Sequence, residues 1–170
     1  RAQQLGDFDG DGFADVLISG PGHAFVVNGP METTGLQQAA IFADYQIDLV
    51  SLGRPAERMG DLNADGLTDL VFYRYDAATD STIITILFGG QVYPRLITAS
   101  SLDPAYSRRI VLSSSELRVF ENEDARNGAL DIQVMTARWS GHYNAQSGYY
   151  YDDLVIVSPL PNAVNDYGYI

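Results

Sequence analysis

The chain has 170 residues, of which 46% are hydrophobic and 11% aromatic, so its composition suits a folded domain with a sizeable core and excludes a disordered chain. Its 22 acidic residues against 10 basic ones give a formal net charge of −12, which argues against nucleic acid and anionic lipid as partners. Cysteine is absent, which excludes disulfides and thiolate chemistry, and no apolar run is long enough to span a membrane.

An acidic loop lies near the start of the chain and recurs further along it. Gly6 to Ile18 read GDFDGDGFADVLI, and Gly60 to Phe72 read GDLNADGLTDLVF, 54 positions later. A weaker third copy runs from Glu123 to Val134. Self-similarity of this kind indicates a repeat architecture.

Short apolar or alternating runs rich in Val, Ile, Tyr and Phe separate the loops, and Gly, Pro, Asn and Asp punctuate these runs, which predicts β-strands. About four strands fall in each repeat, as in a blade of a β-propeller. One short helix is predicted over residues 35–43. The predicted strands span residues 16–18, 24–27, 70–73, 83–88, 110–112, 117–120, 132–135 and 154–157.

We therefore predict an all-β fold of β-propeller-type repeats, with about three four-stranded blades. The blade-like repeats are expected at residues 1–54, 55–118 and 119–170. Propellers close with about four to eight blades, and an open stack would leave unpaired strand edges. We expect the chain to be a segment of a larger propeller of about six to eight blades, or to close by self-association.

The acidic loops have the composition of calcium sites. Calcium takes oxygen ligands, which a loop supplies from alternate side chains and one backbone carbonyl, with a glycine at the sharp turn. In the first loop the predicted ligands are Asp7, Asp9, Asp11, the backbone carbonyl of Phe13 and Asp15, with Gly12 at the turn. In the second they are Asp61, Asn63, Asp65, the backbone carbonyl of Leu67 and Asp69, with Gly66 at the turn.

The third loop keeps fewer of these positions. Its candidate ligands are Glu123, Asn127 and Asp131, with Gly128 at the turn, and a metal-free turn is an equal alternative there. Asp and Asn also form tight turns by bonding their own backbone, which is the alternative for all three loops. An EF-hand needs a Glu at loop position twelve, where this chain has Ile18 and Phe72, so that reading is excluded.

Residues Gly6 to Gly22 resemble the FG-GAP/VCBS repeat of integrin-α-type β-propellers, and Gly60 to Tyr73 is a second match. The resemblance implies extracellular or cell-surface propellers of about seven blades. It also implies bound calcium ions with structural roles, and adhesion or ligand binding. Calcium saturates loops of this kind where its concentration is millimolar, which also favours an extracellular location.

A stretch rich in aromatic, amide and hydroxyl side chains follows the third loop, at residues 139–151. Trp139, His142, Tyr143 and Tyr149 are its candidate ligand-binding residues, since rings stack on flat faces while polar groups fix orientation. The alternative is that these rings pack between blades, as aromatic residues of strands do. The ligand is expected to be a protein or a glycan.

We predict no catalytic residues. A set of Ser140, His142 and Asp152 has no spacing that supports a catalytic role, and no nucleophile motif surrounds any serine. The sequence thus favours a calcium-stabilised extracellular binding or adhesion module. Two alternatives stay open: a structural scaffold within a large secreted toxin or surface protein, and a non-catalytic accessory module of a carbohydrate-active enzyme.

Overall fold

A computed structural model describes residues 1–30, 43–113 and 133–157. Their regular structure is almost entirely β, which confirms the predicted fold class. The third acidic loop, the predicted strand at 117–120 and the predicted helix up to residue 42 lie outside the described residues. Among the residues that the model describes, no helix is long and apolar enough to cross a membrane.

The strands follow the predicted runs and add several short ones between them. The one described helix, α1 (Leu49–Leu52), is capped by Asp48, whose side chain accepts the N–H of Val50. The strands are β1 (Ala2–Gln4), β2 (Val16–Ser19), β3 (His23–Val27), β4 (Tyr45–Asp48), β5 (Arg54–Pro55), β6 (Leu70–Asp76), β7 (Ser81–Leu87), β8 (Leu96–Ile97), β9 (Ser107–Ser113), β10 (Gln133–Ala137), β11 (Tyr143–Asn144), β12 (Tyr149–Tyr150) and β13 (Asp153–Val157).

The first sheet has the order β1-β2-β3-β4-β8. Its first four strands form an antiparallel meander, and the first acidic loop connects β1 to β2. Strand β8 comes from the connection between β7 and β9 and pairs in parallel with β4. Strand β8, from later in the chain, thus adds a fifth strand to the four expected of a blade.

The second sheet has the order β5-β6-β7-β9 and is antiparallel throughout, with the second acidic loop connecting β5 to β6. Leu70 and Phe72 of β6 belong to one hydrophobic core, while Val71 and Tyr73 belong to another. Successive side chains of a strand point to opposite faces, so this sheet is buried on both. Burial on both faces explains why β6 begins with a continuous apolar run.

The described part of the third region, residues 133–157, has two small antiparallel sheets. Strand β10 pairs with β13, and the hairpin β11–β12 is inserted between them. The backbone of Glu57, just after β5, donates to the carbonyl of Val134 in β10 at 2.9 Å, which ties this region to the second sheet. The repeat boundaries at 54/55 and 118/119 and the closure of a propeller stay predictions.

An aromatic cluster fixes the first acidic loop to the core. Phe8 of that loop is buried and lies 6.0 Å from the ring centroids of both Tyr45 and Tyr93. The hydroxyl of Tyr93 donates to the carbonyls of Phe88 and Tyr106 at 2.8 and 2.7 Å, so the ring beneath Phe8 is itself held. The loop is therefore anchored by Phe8, while Asp11 is exposed at the surface.

Candidate metal loops and aromatic surface

Hydrogen bonds from the backbone to Asp7 shape the first acidic loop. Its Oδ1 accepts the N–H of Gly10 at 2.7 Å, and its Oδ2 accepts the N–H of Gly12 at 2.9 Å. Gly12 has φ +89°, a left-handed conformation that a residue with a Cβ adopts only with strain. The predicted turn glycine therefore lies where the loop reverses direction.

The second loop repeats this geometry. The Oδ2 of Asp61 accepts the N–H of Gly66 at 2.8 Å, and Gly66 has φ +91°. The Oδ1 of Asp65 accepts the N–H of Leu67 at 2.8 Å, the bond that Asp11 makes to its own loop in the first copy. Two segments far apart in sequence thus fold to one loop conformation, as their common spacing predicts.

Asp15, at the ninth loop position, is fully buried and ties the loop to the next turn of the blade. Its Oδ2 accepts the N–H of Phe8 at 2.7 Å, and its Oδ1 accepts the N–H of Gly29 at 2.8 Å. Gly29 follows β3, so one carboxylate joins the loop before β2 to the turn after β3. Burial raises the pKa of Asp15, partly offset by these N–H groups.

Asp69 has the corresponding role in the second loop. It is fully buried, and its two oxygens accept the N–H groups of Leu62 at 2.7 Å and Gly89 at 2.9 Å. Burial raises its pKa to about 7, and the charges of Asp65 and Asp61 act in the same direction. The folded chain therefore holds a proton on Asp69 more strongly than an exposed carboxyl group would.

Three carboxylates of the first loop converge. Oxygens of Asp7, Asp9 and Asp15 lie within 4.8 Å of one another, so the three could hold one metal ion. The pKa of Asp9 is raised by burial first and by the charges of Asp15, Asp11 and Asp7 as well. Asp11 lies outside the converging group. The donors are all oxygen, which suits a hard cation such as calcium.

Asn28 is a contributor to this loop that the sequence did not reveal. Its Nδ2 donates to the Oδ2 of Asp9 at 2.5 Å, and its backbone N–H donates to the carboxylate of Asp44 at 2.9 Å. Its Oδ1 is buried and has no hydrogen-bond partner among the residues that the model describes. The Asn28–Gly29 turn signal was visible in the sequence, but its position beside Asp9 follows only from the pairing of β2 with β3.

The second loop offers one carboxylate fewer. Asn63 occupies the place of Asp9, and its Nδ2 donates to the Oδ2 of Asp65 at 2.9 Å. The amide oxygen of Asn63 accepts the N–H of Asp65 at 3.1 Å. Cation affinity in such loops depends on the number of charged ligands, so the first loop has the more strongly attracting donor set.

The acidic loops also dock the repeats against one another. The carbonyl of Asp7 accepts the N–H of Thr68 in the second loop at 2.7 Å, and the carbonyl of Asp61 accepts the N–H of Asp152 at 2.6 Å. The carboxylate of Asp152 accepts the N–H of Asp61 in return at 3.0 Å. A Cβ on Gly60 would collide with that carboxylate, so glycine allows the close approach.

We call residues 139–151, between β10 and β13, the aromatic insert. Its predicted ligand residues are all exposed: 68% of Trp139, 54% of Tyr143 and 51% of Tyr149 is accessible, and His142 is exposed as well. These rings are therefore exposed within the described part of the chain, and their role in ligand binding stays a prediction.

The set of Ser140, His142 and Asp152 is not arranged as a proton relay. The hydroxyl of Ser140 donates to Asp153 at 2.8 Å, and Asp152 is bonded to Asp61 and, through its Oδ1, to Arg138 at 3.3 Å. The side chains of Ser140 and Asp152 thus each have a structural partner outside the set.

The described part of the chain thus forms mainly antiparallel sheets, and acidic loops connect the first and second strands of the first two blade-like units. Residues 4–39 match the family model of the FG-GAP repeat, which confirms the resemblance stated above. FG-GAP repeats are non-catalytic propeller blades, typical of extracellular proteins, and some of them bind calcium. No curated protein and no solved structure matches the chain.

Proposed function

We propose that this chain is a calcium-stabilised extracellular binding or adhesion module, a segment of an FG-GAP-type propeller that recognises a protein or a glycan through surface loops. The observation that carries the proposal is the convergence of Asp7, Asp9 and Asp15 within the segment that matches the FG-GAP repeat.

The donor sets of both loops fit calcium. In the first loop the ion would be held by Asp7, Asp9, Asp11, the carbonyl of Phe13 and Asp15. In the second it would be held by Asp61, Asn63, Asp65, the carbonyl of Leu67 and Asp69. Calcium would supply a positive charge that offsets the repulsion between the loop carboxylates. Magnesium fits less well, because it keeps several waters and seldom uses an all-protein cage.

The role of the ion would be structural. Asp15 already links the first loop to Gly29, and Asp69 links the second loop to Gly89. A cation that neutralises the loop carboxylates stabilises these links and, through the docking contacts, the order of the repeats. Binding to the folded chain alone contributes about 2.7 kcal/mol when free calcium is about a hundredfold above its Kd.

The test is a thermal melt of the metal-stripped chain in chelator, calcium and magnesium. Calcium should raise the Tm by about 5–10 °C, and magnesium should raise it less. Asp9→Asn should reduce the calcium-induced rise in Tm, because it replaces a carboxylate of the first loop with an amide, as Asn63 does in the second loop. Asp103→Asn is the matched control, because Asp103 also accepts a nearby backbone N–H but lies outside the loops.

Equal melts in chelator and calcium would contradict the cation-binding part of the proposal. A rise that Asp9→Asn and Asp103→Asn reduce equally would show that the ion binds elsewhere. The binding part is tested separately, through the surface described next.

A further inference from the structure

The aromatic insert differs in composition from the rest of the chain. Residues 139–151 contain no Asp, Glu, Lys or Arg, in a chain whose net charge is −12. They contain no Leu, Ile, Val, Met or Phe either. Their apolar surface is therefore supplied by Trp and Tyr rings, among amides and hydroxyls.

The backbone of the insert is held firmly although its rings are exposed. Asp153 accepts the N–H groups of Trp139 at 2.9 Å and Ser140 at 2.6 Å, which fixes the start of the insert. The N–H of Tyr151 donates to the carbonyl of His142 at 2.9 Å, and Asp152 beyond it is bonded to Asp61 of the second loop. Both ends are thus anchored.

Exposed rings on an anchored backbone form a pre-organised surface. A binding site that is already ordered loses less conformational entropy when a ligand arrives, so each contact contributes more to affinity. Clustered exposed apolar groups on a soluble domain also mark interaction sites more often than isolated ones do. The insert meets both conditions.

The rings of the insert are not equally accessible to a ligand. The guanidinium of Arg138 lies 5.5 Å from the ring centroid of Tyr150, and the ring of Tyr149 lies against Gly66. Trp139 is the most exposed of the rings, and Tyr143 is the next. The ring of Tyr143 also contacts that of Tyr150, with ring centroids 5.0 Å apart. Trp139 therefore presents the principal contact face, and the exposed part of Tyr143 presents a second.

We propose that the aromatic insert is a binding surface for neutral glycans, with Trp139 and Tyr143 as stacking platforms. This inference rests on the proposed function and names the surface and the ligand class for it. Aromatic rings pack against the CH faces of a sugar, and the exposed Gln146 and His142 supply hydrogen-bonding groups beside them.

The charge of the chain favours neutral over acidic glycans, because a net charge of −12 repels sulfated and sialylated chains. The composition also favours a glycan over a protein partner. The cores of protein interfaces are enriched in Met and Arg as well as aromatic residues, and residues 139–151 contain neither Met nor Arg.

The experiment probes the full chain, in calcium, with an array of immobilised neutral, sialylated and sulfated oligosaccharides. The strongest neutral ligand is then titrated, with Trp139 fluorescence as the readout. Trp139→Ala and Tyr143→Ala should each weaken binding by about tenfold or more. Binding to Trp139→Ala, which lacks the fluorescent residue, is measured by calorimetry. Tyr106→Ala removes an exposed tyrosine outside the insert and should leave the affinity unchanged, with circular dichroism confirming that each variant is folded.

Several results would overturn the proposal. They are binding to acidic glycans alone, equal affinities of Trp139→Ala and wild type, or no glycan signal from folded protein. A dimer in light scattering that Trp139→Ala dissociates would instead show that the surface joins copies of the chain. If calcium still raises the Tm in any of these cases, the cation-binding part of the proposed function stands while the glycan inference fails.

Discussion

The ring of Tyr149 lies against the backbone of Gly66, so that a Cβ built on Gly66 would fall 2.6 Å from the Cζ of the tyrosine. The corresponding glycine of the first loop, Gly12, has no atom within 4 Å of such a Cβ. The two loops share a conformation but not their surroundings, because the aromatic insert covers one side of the second loop.

Alanine at these two glycines should separate backbone strain from contact with the insert. Both have φ near +90°, so Gly12→Ala should cost about 1–2 kcal/mol of folding free energy from strain alone. Gly66→Ala should cost more, because its new methyl group also displaces Tyr149. Denaturant unfolding of both variants provides the comparison.

The double variant Gly66→Ala/Tyr149→Ala completes the test. If the tyrosine causes the extra cost, the two changes should be less destabilising together than their sum, with a coupling of about 0.5–3 kcal/mol. Additive effects would show that Tyr149 does not press on the loop.

The stability of the metal-free chain should fall as pH rises through neutrality. The pKa of Asp69 is raised from 3.8 to about 7 in the folded state, so the folded chain holds this proton more strongly than the unfolded chain. The stabilisation is complete below about pH 4 and is lost as pH rises through about 7. In chelator, the Tm should therefore be higher at about pH 5.5 than at about pH 8.

Asp9, Asp15 and Asp61 also have raised pKa values, chiefly from burial, and they change stability in the same direction. Saturating calcium should flatten this dependence, since the cation replaces the proton as the neutralising charge. A Tm in chelator that increases from about pH 5.5 to 8 would contradict the assignment of buried, repelling carboxylates.

The two phenylalanines of the first loop provide a matched pair. Phe8 is 1% exposed and packs between Tyr45 and Tyr93, whereas Phe13 is 53% exposed. Phe8→Ala should cost about 3–5 kcal/mol, because it leaves a cavity in the core beneath the loop. Phe13→Ala should change stability by about 0.5 kcal/mol or less. Chemical unfolding measures both, and equal losses would show that Phe8 does not anchor the loop.

The spacing between the first and second repeats should depend on Gly6. A Cβ at this position would collide with the hydroxyl oxygen of Thr68 in the second loop, and Gly6 does not have the positive φ that would add strain. Gly6→Ala should therefore destabilise the chain by about 1–3 kcal/mol through overpacking.

Removing the obstacle should recover this loss. Gly6→Ala should therefore cost less folding free energy in a Thr68→Ala background than in the wild type. Gly20→Ala is the control, since its nearest neighbour beyond the adjoining residues lies 4.0 Å away. Equal unfolding free energies for Gly6→Ala and Gly20→Ala would show that the repeats are not closely docked at this point.

The acidic loops were predictable from the sequence because their geometry is local. The residues that define each turn lie within nine positions, so spacing alone placed Gly12 and Gly66 at the reversals. The long strands β6 and β7 were predictable for a similar reason, since burial on both faces leaves a continuous apolar run. The strands β1 and β5 were not, because Ala2–Gln4 and Arg54–Pro55 are short and have no such run.

Contacts between repeats were beyond sequence reasoning, because they join residues that no local pattern relates. Three such contacts depend on how the sheets stack: the pairing of β8 with β4, the contact of Tyr149 with Gly66, and the hydrogen bonds between Asp61 and Asp152. The sequence predicted Asp15 as a calcium ligand. The structure adds that both of its oxygens also accept backbone N–H groups, a role that only the tertiary fold defines.

The most direct test of the central claim is a calorimetric titration of the metal-stripped chain with calcium. Two sites are expected on the wild type, with the site at Asp7, Asp9 and Asp15 binding more tightly because it has the additional carboxylate. Asp9→Asn should weaken that site on the order of tenfold and leave the other unchanged. A titration with no heat of binding, together with an unchanged Tm, would contradict the account and leave the acidic loops as turns stabilised by their own backbone.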